Sequence, residues 1–288
     1  MLNYGKRNMT SKSSKRLLIA AGDSWTNDKE DCYRDAGMTE VWPDYVAKFL
    51  DFDVLNVAQG GAGNQYICDK AIDAIENNSD RELVVMVGWS QSHRIVPYEM
   101  NNGQLTHTLL MPEAEPPMGK YKKQAEIAIQ ELAKCHIDFN GMMIDGTMPK
   151  EEFYLQVGNQ SMRAIYLLND YCERRNIPLI QGRALDTLSG IEWILKPEMN
   201  PYERQIVYES CKQSVYYNKI KKYKNLIGDP DFFKQKSSWF SVYAQYYINQ
   251  EEKHPNAQGM QLIAHSFVNK YLEMYGETTE EEPAYVYD

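Results

Sequence analysis

Two stretches far apart in the chain carry the residue types needed for nucleophilic chemistry. The first is Gly22-Asp23-Ser24-Trp25 and the second is Glu251-Glu252-Lys253-His254-Pro255-Asn256. A serine hydroxyl is a poor nucleophile until a neighbouring base takes its proton, and that base needs a partner that orients and charges it. Ser24 is the candidate nucleophile and His254 the candidate base. Glu251, three residues before His254, can reach back across a turn towards the imidazole, and Pro255 stiffens the loop. Read singly, each stretch has a plain structural use: Asp and Ser are good helix N-caps after a glycine turn, and a histidine among charges suits a surface loop.

The surrounding pattern says what must position these groups. Leu17 to Ala21 is a short apolar run ending in turn chemistry, as expected for a buried strand. A ligand in an open α/β sheet binds at the carboxyl ends of the strands, where Ser24 falls. A serine entering a helix there gains from the positive end of the helix dipole, and its own N–H is placed to hold an oxyanion. Trp42, Tyr45, Val46, Phe49 and Leu50 recur at helical spacing, with Pro43 suited to a first turn. Asp53 to Ala58 reads as a second strand, closed by Gly60, Gly61 and Gly63. Ile67, Ala71 and Ile75 then mark a helix face, and Leu83 to Val87 is a strand without alternation, covered on both faces. This rhythm implies parallel pairing and a three-layer α/β/α sandwich of flavodoxin-like type around about five strands.

From about 95 to 155 the rhythm breaks on Pro97, Pro112, Pro116, Pro117 and Pro149, with one helical stretch near Ala125 to Ala133; this reads as an insertion, a lid by placement. The rhythm resumes with a helix near Asn159 to Arg175, a strand at Ile177 to Ile180, a helix within Pro201 to Tyr223, and a closing helix carrying Ile263, Phe267, Tyr271 and Met274. The expected organisation is an arm over 1–16, one domain over 17–275 and an acidic tail over 276–288. Phe232, Phe233, Trp239, Phe240, Tyr243, Tyr246 and Tyr247 crowd before His254, an aromatic cluster suited to core or lid packing and also able to stack on sugar rings.

Together these pieces resemble the SGNH (GDSL-type) hydrolase family. Its Gly-Asp-Ser block matches Gly22, Asp23 and Ser24, and its Asn-x-Gly-x-x-Gly block is approximated by Asn56, Ala58 and Gly61. Its closing acid-x-x-His block falls on Glu251 and His254, followed by Asn256 and Gly259. The resemblance covers Leu17 to about Arg94 and Ile177 to Tyr275. It implies that the Gly61 N–H is an oxyanion donor and that an ester is hydrolysed through an acyl-enzyme without metal or cofactor. There are three departures: Glu251 stands for the usual Asp, Ala58 for a glycine, and Gly88-Trp89-Ser90-Gln91 for Gly-x-Asn-Asp. The usual asparagine donor is thereby missing, and Ser90, or Asn64 from the second block, is the expected substitute. Gly63-Asn64 with Gly88-Trp89-Ser90 and Arg94 looks like the divergent members found in tailed bacteriophages. A rival nucleophile is Ser90 itself, since Gly88-Trp89-Ser90-Gln91-Ser92 imitates a G-x-S-x-G elbow with Ser92 in place of its second glycine. Only Ser24 also explains Gly61 and Glu251.

The expected substrate is an acylated small molecule or polysaccharide, in particular an O-acyl or O-acetyl group on a carbohydrate. The second expectation is a catalytically weakened scaffold kept as a binding or virion-associated module. A formal charge of −9 argues against nucleic acid as partner. More than half of it lies in the tail, where Glu277, Glu280, Glu281, Glu282 and Asp288 have no Lys or Arg among them. No apolar run reaches membrane-spanning length. Cys32, Cys68, Cys135, Cys172 and Cys211 form no C-x-x-C pair, and His93, His107, His136 and His265 make no ligand set, so neither a disulfide framework nor a zinc site is expected. With no signal-peptide pattern at the start, a cytoplasmic protein is expected, or a virion-associated one if phage-encoded.

Overall fold

In a computed structural model of the chain, residues 15–90, 150–185, 212–228, 238–249 and 253–276 are described. Most of the expected arm, nearly all of the expected insertion, the acidic tail, and Glu251 lie outside them.

Four strands form one parallel sheet: β1 (Leu17–Gly22), β2 (Asp53–Asn56), β3 (Leu83–Trp89) and β4 (Leu179–Arg183), in the order β2-β1-β3-β4. β1, β3 and β4 are buried along their whole length, which is why they read as apolar runs without alternation. β2 is an edge strand with Asp53 and Val54 exposed. Beyond β4 the chain makes one parallel bridge, in which Gln181 N donates to Asn225 O at 2.9 Å and Ile227 N to Gln181 O at 2.8 Å. That segment fills the fifth position of the sheet without becoming a strand.

Successive side chains on a strand point to opposite faces, and the two cores follow that rule. Leu17, Ile19, Ala21, Leu83, Val85, Val87 and Leu179 face α3 (Asn64–Asn77), α4 (Lys150–Arg174) and α5 (Val215–Ile220). Leu18, Ala20, Val84, Met86 and Ile180 face α2 (Trp42–Leu50), α6 (Trp239–Val242) and α7 (Ala257–Tyr275). A short α1 (Asp31–Asp35) follows the loop that carries Ser24. The molecule is therefore a three-layer α/β/α sandwich, and its strand order is that of flavodoxin-like sheets, with the switch in direction between β1 and β3.

Several element boundaries differ from the sequence reading: β2 ends at Asn56 instead of Ala58, and β4 covers Leu179–Arg183 instead of Ile177 to Ile180. α4 begins at Lys150, so the expected insertion limit near 155 falls inside a helix. In the Pro201 to Tyr223 stretch the described helix is Val215–Ile220, started by the Ser214 hydroxyl accepting from Tyr216 N at 3.3 Å. A serine cap competes well enough with helix continuation to fix a start there.

Register adds a feature that periodicity alone does not show. Gly22 pairs with Gly88 and Gly88 with Gly182, so three glycines stand in a row across the carboxyl ends of β1, β3 and β4. The space their side chains would fill is taken by Thr26 over Gly22 and by the Trp239 ring over Gly88 and Gly182. Trp239 in turn packs edge-on against Trp42 and Phe267, which stack on each other with centroids 4.2 Å apart. At Trp239 the aromatic cluster before His254 thus serves the core.

Candidate active site

The carboxyl end of β1 turns sharply. Asp23 O accepts from Thr26 N at 2.9 Å and Asn27 N at 3.0 Å, while the Asp23 carboxylate accepts from Trp25 N at 3.0 Å. An aspartate that bonds the backbone two residues on is a standard turn former. It leaves Ser24 at the apex, 8% exposed. The turn is fixed from outside as well, since Trp42 Nε1 donates to Thr26 Oγ1 at 3.2 Å and Tyr33 Oη on α1 donates to Ser24 O at 3.0 Å.

The loop after β2 lies beside it. Val57 N donates to Ala20 O at 2.8 Å and Gln59 N to Gly22 O at 3.1 Å, continuing the pairing with β1 past the strand end. Asn56 donates from Nδ2 to Thr26 O at 2.7 Å and accepts from Ala58 N at 3.1 Å, latching this loop to the serine turn. Gly61 has φ of 75°, a left-handed conformation that favours glycine. Ala58 is not among the described residues of positive φ, so the alanine in place of the family's glycine costs the backbone nothing. Neither Ser24 N–H nor Gly61 N–H meets an acceptor among the described residues.

At the end of β3 the arrangement departs from the sequence expectation. Ser90 Oγ donates to the second Asp23 oxygen at 2.7 Å. Asn64, the first residue of α3, accepts from Ser90 N at 2.7 Å and donates to Ser90 O at 3.0 Å, and its Nδ2 also reaches Ser161 Oγ on α4 at 2.5 Å. Asp23, Ser90, Asn64 and Ser161 are all nearly or fully buried. The hydroxyl proton of Ser90 and both amide protons of Asn64 are committed, so neither residue keeps a side-chain donor for an oxyanion here. Asp23, expected among the residues facing substrate, faces inward as the tie between two loops. The same commitment of Ser90 sets it apart from a nucleophile awaiting a base.

His254 arrives from the other side. Its carbonyl accepts from Ile248 N at 2.9 Å, and Asn256 N donates to Tyr246 O at 2.7 Å, a short antiparallel clasp around the Tyr247–Pro255 bridge. Asn256 then caps α7, accepting from Gly259 N at 2.9 Å. The half-buried imidazole packs edge-on against Tyr33 with centroids 5.6 Å apart, and lies 6.5 Å from the Trp25 ring. Its two aromatic neighbours therefore flank Ser24: one follows it in sequence and the other holds its carbonyl. Among the described residues no hydrogen bond joins Ser24 to His254. Glu251 lies outside the described residues.

The structure thus sets His254 against the two aromatic neighbours of Ser24, latches the loop that carries Gly61 to the serine turn through Asn56, and makes Asp23, Ser90 and Asn64 part of the buried frame. Sequence reasoning missed Ser161, Tyr33 and Thr26. A usable signal for Ser161 was a serine beside Met162, Ala164 and Ile165 on the buried side of a helix. Among the described residues no group of His, Cys, Asp or Glu gathers as a metal site, and no helix is long and apolar enough to cross a membrane.

No family model matches the chain. No curated protein matches it either. Solved structures do. The chain is similar to the psychrotrophic esterase EstA of a Pseudoalteromonas species, at 9% identity over 91% of this chain and 100% of that one, with a TM-score of 0.40. It is also similar to an acetylxylan esterase from Geobacillus stearothermophilus, at 12% identity over 90% and 94% with a TM-score of 0.39. A third is a lipase/acylhydrolase from Enterococcus faecalis, at 11% identity over 90% and 96% with a TM-score of 0.37.

Proposed function

We propose that the chain is a serine esterase of the SGNH type that cleaves an ester through an acyl-enzyme. The observation that supports the reading is the packing of the His254 loop on Trp25 and Tyr33, the two neighbours of Ser24, while Asn56 latches the loop with left-handed Gly61 to the same turn. In the proposed reaction Ser24 Oγ attacks the acyl carbonyl as His254 takes its proton, with Glu251 orienting and charging the imidazole. The N–H groups of Ser24 and Gly61 hold the oxyanion. His254 returns the proton to the departing alcohol. Water, activated by the same imidazole, then cleaves the acyl-serine, so that one water is consumed and one acid and one alcohol are released. The substrate class we propose is an O-acylated carbohydrate or a comparable acylated small molecule.

One observation favours the second reading, a weakened scaffold that binds instead of turning over. With Ser90 and Asn64 committed to the frame, the hole has backbone donors alone among the described residues. Loss of one oxyanion donor costs about 10²–10³ in rate. Turnover of p-nitrophenyl acetate and an O-acetylated polysaccharide, compared with Ser24→Ala, separates the two. The esterase reading expects acetate release by the wild type and none above background from the variant. Its absence from the wild type across a broad acyl panel overturns the esterase reading, and equal turnover by the variant removes Ser24 from it.

A further inference from the structure

Glu30 is the N-cap residue of α1, half-buried, on the element whose Tyr33 holds both Ser24 and His254. Its carboxylate lies over Gly60: a methyl carbon on that residue would fall 2.1 Å from Glu30 Oε1. Gly60 precedes Gly61, so ordinary backbone dimensions put the carboxylate within about 6 Å of the Gly61 N–H. Its side-chain partner among the described residues is neutral, Asn27 Nδ2 at 2.7 Å. Among the described residues no ion pair includes Glu30, and the neighbouring Arg34 is paired with Asp31. Asp28, exposed on the same loop, adds charge of the same sign, against the exposed cation Lys29.

We infer that Glu30 sets the charge preference of this site, favouring esters with a cation near the scissile carbonyl and disfavouring those with a carboxylate there. This rests on the esterase reading proposed above. A single fixed charge about 6–10 Å from the reacting carbonyl, at an effective dielectric near 20, shifts the relative transition-state binding of charged acyl groups on the order of tenfold. The effect weakens as salt screens it.

The test uses p-nitrophenyl esters of one leaving group and three acyl groups: acetyl, succinyl with its free carboxylate, and 4-(trimethylammonio)butyryl. The wild type is expected to show a kcat/KM for the cationic ester at least about tenfold above the anionic one, narrowing between 20 mM and 500 mM salt. Glu30→Gln, which keeps shape and an acceptor for Asn27, should bring the ratio down about tenfold and remove most of its salt dependence, whereas Glu30→Asp should keep the preference. The wild-type salt series reads the same charge without any variant. A ratio unchanged in Glu30→Gln, or indifferent to salt in the wild type, overturns the inference while hydrolysis of the acetyl ester leaves the esterase reading standing. Failure to turn over any of the three esters overturns both.

Discussion

Replacing Ser90 by alanine tests how the site is held. The hydroxyl donates to a carboxylate that is fully buried, and the other Asp23 oxygen is engaged by Trp25 N. Without it, the oxygen facing Ser90 loses the hydroxyl's hydrogen bond. A hydrogen bond to a charged group is worth about 1.5–3 kcal/mol. Ser90→Ala should therefore lower stability to chemical denaturation by about 2–3 kcal/mol. The same defect frees the Asp23 turn that carries Ser24, so kcat should fall about 10- to 100-fold while KM changes little, corresponding to about 1.4–2.8 kcal/mol of misplacement at the reacting serine. Ser90→Thr keeps the hydroxyl and should recover most of both losses. Urea denaturation followed by circular dichroism gives the first quantity and steady-state hydrolysis the second. Fluorophosphonate capture separates the roles open to Ser90: as a frame residue its removal leaves labelling intact though slower, whereas as a nucleophile its removal abolishes labelling. Ser90→Ala with wild-type stability and wild-type kcat would refute the argument that Asp23 depends on this bond.

Gly182→Ala places a methyl group against the Trp239 ring and should destabilise by about 1–3 kcal/mol, measured by thermal or urea unfolding; an unchanged midpoint would contradict the glycine row as the seat of that ring. Cys68 and Cys172 are buried between α3 and α4, and burial pushes both thiols up to about 12. Their folded values lie above an unfolded one near 8.5, so the unfolded chain loses these protons first, and their contribution is full below about pH 8.5 and falls as pH rises towards 12. The stability difference between wild type and a Cys68→Ala/Cys172→Ala variant should narrow from pH 8 to pH 11, and iodoacetamide at pH 8 should modify half-buried Cys32 well before either.

Much of the sheet was legible because its strands are buried on both faces: Leu17 to Ala21 and Leu83 to Val87 had no other place to go. The loops that carry Ser24, Gly61 and His254 were legible for a related reason, since each joins the end of one element to the start of the next. Other features depend on lateral register. The alignment of Gly22, Gly88 and Gly182, and the ring that exploits it, follows from strand pairing. So does the buried polar set in which Trp89 Nε1 donates to Gln181 Oε1 at 2.9 Å and Asn225 Nδ2 to Asn169 Oδ1 at 2.9 Å. A glutamine following Leu179-Ile180, and an asparagine following Leu168 on a helix, were the visible hints of it. Ser90 and Asn64 were expected as oxyanion donors, and the structure pairs them with Asp23, Ser161 and each other, because residue type shows that a group can donate and only the tertiary arrangement shows to what. The pairing of Glu30 with Gly60 is of the same kind: two residues on different loops with no periodicity linking them.

The central claim is that Ser24 is an activated nucleophile served by His254. Incubation of the full chain with a fluorophosphonate probe, followed by peptide mapping, reads it directly. The account predicts a single adduct on Ser24, absent from Ser24→Ala and formed far more slowly in His254→Ala. An adduct on Ser90, or no adduct on any serine of the folded protein, would contradict it.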